Sequence, residues 1–242
     1  MVYLQQIIDF LDQWAPRELA AKWDSIGLQL GEPTSEIKSI VLSLDVDSLL
    51  LDTIKKEPTD LVITHHPIFF KPIRSLRYES DMGRILKLFI TQNCHLFTMH
   101  TNLDAAEGGV NDCLIKAFNF EPKQGISLSD GFGKFYTHTS NSSFNDLLNL
   151  FPAKQLGYND PKSPINRIAF CCGSGHGFIH ELADLNIDCM VTGEITYHDE
   201  VFCEMNGIRV IALGHRESEL FVLDEIKSRL SHTFNLPIRI CS

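Results

Sequence analysis

Thr64-His65-His66-Pro67 sets two adjacent imidazoles directly behind a short apolar run, Leu61-Val62-Ile63. Side chains on a continuing strand alternate between faces, so neighbouring histidines converge only where the strand stops, and Pro67 marks such a stop. His100-Thr101-Asn102-Leu103-Asp104 follows a second predicted strand, 95–100, and again offers an imidazole and a carboxylate at its carboxyl end. A third segment, Gly214-His215-Arg216-Glu217-Ser218-Glu219, lies between a predicted strand at 208–213 and a long helix. There His215 and Glu219 are four apart, on one helical face and within reach of one ion.

Taken singly, each segment has an ordinary structural explanation. Adjacent histidines can bond to backbone, Asp104 can cap a turn, and Glu217 and Glu219 can complement a helix dipole. The coincidence is more informative. Three strand ends carry His-His, His…Asp and His…Glu, a donor set suited to divalent transition ions. His65, His66, His100, Asp104, His215 and Glu219 exceed what one tetrahedral ion needs, so two neighbouring ions are the economical inference. Imidazole and carboxylate accept zinc, iron, manganese or nickel alike.

Two glycine-containing turns have weaker readings. Cys171-Cys172-Gly173-Ser174-Gly175-His176-Gly177 joins a predicted strand to a helix and could cradle phosphate, but Phe178 stands where the dinucleotide pattern needs its third glycine. A tight structural turn explains it equally well. Thr192-Gly193-Glu194 ends another predicted strand, and Glu194 with His198 has the i, i+4 spacing of a supporting or acid–base pair.

The elements that must position these residues alternate. A first amphipathic helix (Leu4, Ile7, Ile8, Leu11, Trp14) stops near Pro16. Strands are predicted at 40–46, 61–63, 95–100, 168–172, 189–192, 208–213 and 238–241. Helices are predicted after Asp47 and over 81–92, 110–118, 178–185, 197–206 and 217–232. Such alternation predicts an α/β protein with mainly parallel sheets covered by helices, and sites outside the carboxyl ends of the strands. The Ser/Asn/Gly/Pro-rich stretch 121–166, with an irregular strand near 132–139, reads as a boundary. It divides an N-terminal α/β lobe, 1–125, from a C-terminal lobe, 126–242, whose last helix could pack on the first.

The whole-chain numbers narrow the partners. Among 242 residues, 21 are Lys or Arg and 31 are Asp or Glu, a formal charge of −10. That acidity argues against wrapping nucleic acid, which takes its affinity from basic patches. The one modest basic cluster is Arg74, Arg77 and Arg84, for which a solvated loop is the simpler role. No apolar run reaches the ~18 residues of a membrane span. Asp9 and Asp12 interrupt the first apolar pattern, so a signal peptide is not expected. Seven cysteines, an odd number without a C-x-x-C pair, fit reduced thiols and a cytoplasmic location.

Six motifs in one order carry a family resemblance: Trp23-Asp24-Ser25-Ile26-Gly27-Leu28-Gln29, Thr64-His65-His66-Pro67, His100-Thr101-Asn102-Leu103-Asp104, Gly173-Ser174-Gly175, Thr192-Gly193-Glu194 and Gly214-His215-x-x-Ser218-Glu219. Together they resemble the NIF-three-like family, the GTP cyclohydrolase I type 2 homologues, from about residue 4 to 240. The resemblance implies two α/β lobes with a dinuclear metal centre at their seam, and a toroidal homohexamer. By position it implies His65, His66, Asp104, His215 and Glu219 as metal ligands, with His100 better placed as a supporting or proton-transfer residue; His198 is a second candidate proton carrier on the pKa near 6.5 of an ordinary imidazole. Arg216 occupies a place more often filled by an uncharged or aromatic residue or by His, His198 lies in a segment that varies across the family, and the short linker lacks the large inserted domain of some relatives.

Three functions follow as expectations. The first is a metal-dependent hydrolase acting on a nucleotide-like substrate, with GTP ring opening and formate release implied by the family name. The second is a metal-stabilised scaffold that recruits partners without turnover. The third is a metal-dependent phosphoesterase. Of ten histidines, His95, His138, His176, His180 and His232 have no assigned chemistry. Two bound divalent cations would bring the formal charge from −10 to about −6.

Overall fold

A computed structural model describes residues 1–129, 131–137, 143–158 and 164–242, and divides the chain into two compact units. The first comprises Met1–Glu107 and Leu223–Ser242, the second Gly108–Val222. The division thus falls earlier than the expected boundary near 125, and the C-terminal segment returns to the first unit. His138 and part of the irregular strand expected near 132–139 lie outside the described residues.

The strands in chain order are β1 (Val2–Tyr3), β2 (Gly27–Leu30), β3 (Glu36–Ile37), β4 (Ile40–Ser43), β5 (Leu61–Thr64), β6 (His95–Thr98), β7 (Ile126–Ser127), β8 (Lys134–Thr137), β9 (Lys154–Gly157), β10 (Arg167–Ser174), β11 (Cys189–Glu194), β12 (Arg209–Ala212) and β13 (Ile238–Ile240). The helices are α1 (Leu4–Trp14), α2 (Ser48–Lys56), α3 (Asp81–Thr91), α4 (Thr101–Ala105), α5 (Val110–Ala117), α6 (Phe144–Leu148), α7 (Ile179–Asp184), α8 (Tyr197–Met205), α9 (His215–Glu219) and α10 (Phe221–Thr233).

In the first unit the sheet order is β13-β4-β5-β6-β2, parallel except for β2. Its central strands are apolar runs buried on both faces, as a helix-covered parallel sheet requires: Val41, Leu42, Val62, Ile63, Leu96 and Phe97 are all buried. Leu50 and Ile54 of α2 and Phe89 of α3 pack into that core with Val41, Val62 and Leu96. Asp47 caps α2, accepting from the Leu50 amide at 2.9 Å, and Ser80 caps α3. The register is level at the carboxyl ends. Ser43 pairs with Thr64 and Thr64 with Thr98, so the residues following β4, β5 and β6 emerge along one edge.

The second unit holds a six-stranded sheet, β7-β8-β10-β11-β12-β9. Here the expectation of mainly parallel pairing is corrected. Only β10-β11-β12 are parallel, and β8 and β9 join their flanks antiparallel. β9 lies in the polar stretch 121–166, which has too little apolar periodicity to reveal a strand. Phe135, Ala169, Ile179, Leu182, Met190, Cys203 and Val210 share a core with neighbouring apolar residues. Phe170 is fully buried, with Phe118, Phe120 and Tyr136 rings 5.7, 5.1 and 5.8 Å from its own.

All seven cysteines are buried; burial pushes the Cys94, Cys189 and Cys203 thiols up to about 12. Among the described residues no helix is long and apolar enough to cross a membrane. Truncating Phe170→Ala removes the ring that three aromatic neighbours share. The expected cost is about 3–5 kcal/mol, read as a shifted midpoint in urea unfolding followed by circular dichroism.

Candidate metal centre

Within the first unit, the level strand ends deliver four candidate residues to one place. β5 ends at Thr64 and the backbone turns, with the His65 amide bonded to Ser43 O (3.3 Å) and the His66 amide to Leu44 O (2.9 Å). Released from strand alternation, the two rings lie with centroids 4.8 Å apart. His100, next after the Met99 that follows β6, brings its ring 5.1 Å from His65 and 5.4 Å from His66. The three histidines each offer a ring nitrogen, and these atoms lie within 4.8 Å of one another. Asp104, one turn into α4, sets its Oδ1 3.6 Å from His65 Nε2.

The Nδ1 atoms of these rings are already committed. His65 Nδ1 donates to Met99 O, His66 Nδ1 to Asp45 Oδ1 and His100 Nδ1 to Asp24 Oδ1, each at 2.9 Å. A carbonyl or carboxylate only accepts, so Nδ1 carries the hydrogen and a neutral ring presents its lone pair at Nε2. This is how metal-binding histidines are oriented by the groups behind them. Three imidazoles gathered this closely beside a carboxylate make a nitrogen and oxygen donor set of the kind divalent transition ions take. The donor set therefore fits a divalent ion.

Asp24 is the best-anchored of these supports. Its side chain is fully buried and accepts from His100 Nδ1, the Ser25 amide (2.8 Å), the Thr101 amide (3.0 Å) and Thr101 Oγ1 (2.5 Å). Burial pushes its carboxyl up, but the bonds from His100 and Thr101 outweigh that and hold it at about 2.

The second unit presents its own pair. Gly214, at φ 105°, opens α9, and one turn of helix brings Glu219 Oε1 to 3.2 Å from His215 Nε2. His215 Nδ1 donates to Glu194 Oε1 at 2.9 Å, repeating the arrangement of the first unit. The bond to Glu219 raises His215 to about 9 against the opposing effect of burial, with the charges of Glu219 and Glu194 adding to it.

Glycine makes that pair possible. β10 carries an irregularity between Cys171 and Ser174, and there Gly173 adopts φ 59°. A Cβ on Gly173 would stand 2.6 Å from Glu219 Oε1 and 3.2 Å from His215 Nε2; one on Gly193 would meet Gly173 O at 2.4 Å and His215 Cα at 2.8 Å. The Gly173 amide also donates to Ser218 Oγ, which donates to His215 O. Gly173 therefore supplies close approach to two candidate ligands.

Asp45 and Asp24 escaped the sequence reading as supports for histidine. Asp24 lies in the Trp23–Gln29 motif, but its partner is 76 positions away. Glu194 binds His215, whereas His198 lies exposed on α8 with its ring 5.5 Å from Tyr197. The remaining described histidines are held elsewhere. His176 pairs with Asp199, His180 packs on Phe202, His232 bonds Ser228 O, and His95 is buried, which lowers its pKa. In the basic cluster, Arg77 pairs with Glu79 and Arg84 with Asp81.

Gly173→Ala is expected to lower the metal retained by purified protein at least several-fold, measured by elemental analysis. Gly177→Ala, whose Cβ would meet nothing within 4 Å, leaves it unchanged.

The chain is similar to known proteins over its whole length. The profile of the Duf34/NIF3 (NGG1p interacting factor 3) family matches residues 2–242. A GTP cyclohydrolase 1 type 2 homolog of Campylobacter jejuni is 32% identical over 245 residues, covering 98% of this chain and 94% of the relative. The GTP cyclohydrolase 1 type 2 of Helicobacter pylori (strain J99) is 30% identical, covering 99% and 96%. Among solved structures, reduced HcgD from Methanocaldococcus jannaschii superposes with a TM-score of 0.89 at 27% identity, covering 100% of this chain and 98% of that one. On the extent of these matches, the chain belongs to the Duf34/NIF3 family.

Proposed function

We propose that this protein is a dinuclear-metal hydrolase acting on a nucleotide-like substrate, with His65, His66, Asp104, His215 and Glu219 as the residues that would hold two divalent ions. The observation that carries the reading is the shared orientation of four histidines. Each commits Nδ1 to a carbonyl or carboxylate, so the ring is oriented from behind as in metal-binding histidines. When bound, such ions acidify water toward neutral pH and polarise a substrate oxygen. Zinc, iron, manganese and nickel all suit these ligands.

The chain's own residues do the rest. His65, His66 and His215 bind through Nε2, and Asp104 and Glu219 add carboxylate charge. Asp24 holds the His100 ring so that its Nε2 faces His65 and His66, where it accepts a proton from water and returns it to the leaving nitrogen. His198, on its exposed helix, is a second candidate carrier. With GTP, water adds to C8 of the purine and the C8–N9 bond opens to a formamide. A second water cleaves that amide and releases formate. The same proposal includes the toroidal homohexamer implied by the family resemblance, readable by light scattering.

The test is formate release from GTP by protein loaded separately with zinc, iron or manganese. Formate above the metal-free background is expected for at least one ion, and His65→Ala and Glu219→Ala should abolish it together with bound metal. Metal-loaded protein that releases no formate with any ion overturns the GTP reading and favours a scaffold. His100→Ala separates two roles for that residue. Retained metal with turnover down about 100-fold marks a proton carrier, whereas lost metal marks a ligand.

A further inference from the structure

Beside the three-histidine group of the first unit stand two large aromatic side chains that the core does not use. Trp23 is 64% exposed and Phe70 56% exposed. Their rings stack on each other, with centroids 5.9 Å apart and planes 29° apart. Both rings also meet His100 edge-on, Trp23 at 6.0 Å and Phe70 at 5.6 Å. Exposed aromatic surface is unfavourable in water, and a paired patch beside a polar cluster marks a binding surface more than a packing defect.

The pair is anchored from behind. Trp23 precedes Asp24, whose carboxylate is fastened to Ser25, His100 and Thr101, and Thr101 Oγ1 in turn accepts from the Ala21 amide at 2.9 Å. Lys71 and Arg74 follow Phe70 in an exposed segment. The neighbouring Arg77 and Arg84 are engaged with Glu79 and Asp81. In a chain of charge −10, two exposed cations within four residues of Phe70 in sequence are a local reversal of sign.

We propose that Trp23 and Phe70 form a stacking platform for the planar heteroaromatic ring of the substrate, with Lys71 and Arg74 receiving its anionic tail. This deepens the hydrolase reading and rests on it for the identity of the substrate, a purine nucleotide. A base stacked there lies against His100, and therefore beside the ring nitrogens of His65 and His66. Trp23 and Phe70 are positioning residues. Stacking is tolerant of which base it holds, so the platform selects for a flat ring, and specificity among purines lies elsewhere.

The experiment uses metal-loaded full-length protein with guanosine, GTP and inorganic triphosphate as probes, followed by tryptophan fluorescence and calorimetry. Trp23 is one of only two tryptophans, and the other, Trp14, is tied to Glu107 O and covered by Arg229. Guanosine and GTP should quench Trp23 emission. Trp23→Leu and Phe70→Leu should each weaken both by about 10-fold or more, with bound metal unchanged and Trp23→Phe restoring most of the affinity. Triphosphate binding should be indifferent to those changes and weakened by Lys71→Ala with Arg74→Ala.

Unaltered guanosine affinity in both leucine variants overturns the platform. So does a drop in their assembly size without a change in affinity, which would make the patch a contact between copies of the chain. Formate assays on the same samples keep the two proposals apart. Guanosine binding through Trp23 without formate from the wild type sinks the hydrolase reading alone. Formate release with unchanged kcat/KM in Trp23→Leu sinks the platform alone.

Discussion

Thr64 pairs with Ser43 on one side and Thr98 on the other, and the histidine group depends on that lateral register. Because β4, β5 and β6 finish level, the backbone leaves the sheet at three adjacent points. Asp45, His65, His66 and His100 are carried to one edge without a long loop to position them. A slip of one residue in any strand would exchange the side chains packed on its two faces, so the fit of Val41, Val62 and Leu96 against the helices favours the register. The hydroxyls of Thr64 and Thr98 bond to each other at 2.9 Å and close the row. The core thus sets the spacing of the polar groups above it.

Rigidity then passes outward through hydrogen bonds. An imidazole on a strand end has freedom about two torsions, and the bond at Nδ1 removes most of it. The supports differ in how deeply they sit. Met99 O and Asp24 are internal, whereas the side chains of Asp45 and Glu194 are 45% and 59% exposed. His65 and His100 are accordingly held by the protein interior, His66 and His215 by groups that water also reaches. Among the other described histidines, His176, His180 and His232 spend their rings on Asp199, Phe202 and Ser228 O.

The parallel β-α-β core was legible because its strands are buried on both faces and read as short apolar runs between helical periods. The antiparallel flanks of the second sheet were not. β9 is a polar edge strand whose pairing with β12 leaves no alternating pattern in Lys154–Gly157. The candidate ligands were legible as well, since His and acid at strand ends form a local signal. Their supports were not, because Asp24 meets His100 and Glu194 meets His215 across separations that no local pattern encodes. Gly173 was visible as a glycine in a turn. That its missing Cβ leaves room for Glu219 and His215 became visible only once α9 was packed on β10.

By itself the sequence determined which residue types end the central strands, hence the donor chemistry, and placed the chain in its family through motifs in a conserved-looking order. Tertiary structure alone decided which carboxylate orients which imidazole, how closely the rings approach, and that Trp23 and Phe70 stack beside His100. The physical reason is range. Donor identity and strand propensity are properties of a few consecutive residues. Orientation and approach arise where segments tens of residues apart are brought together by burial of the sheet, and local pattern carries no information about that distance.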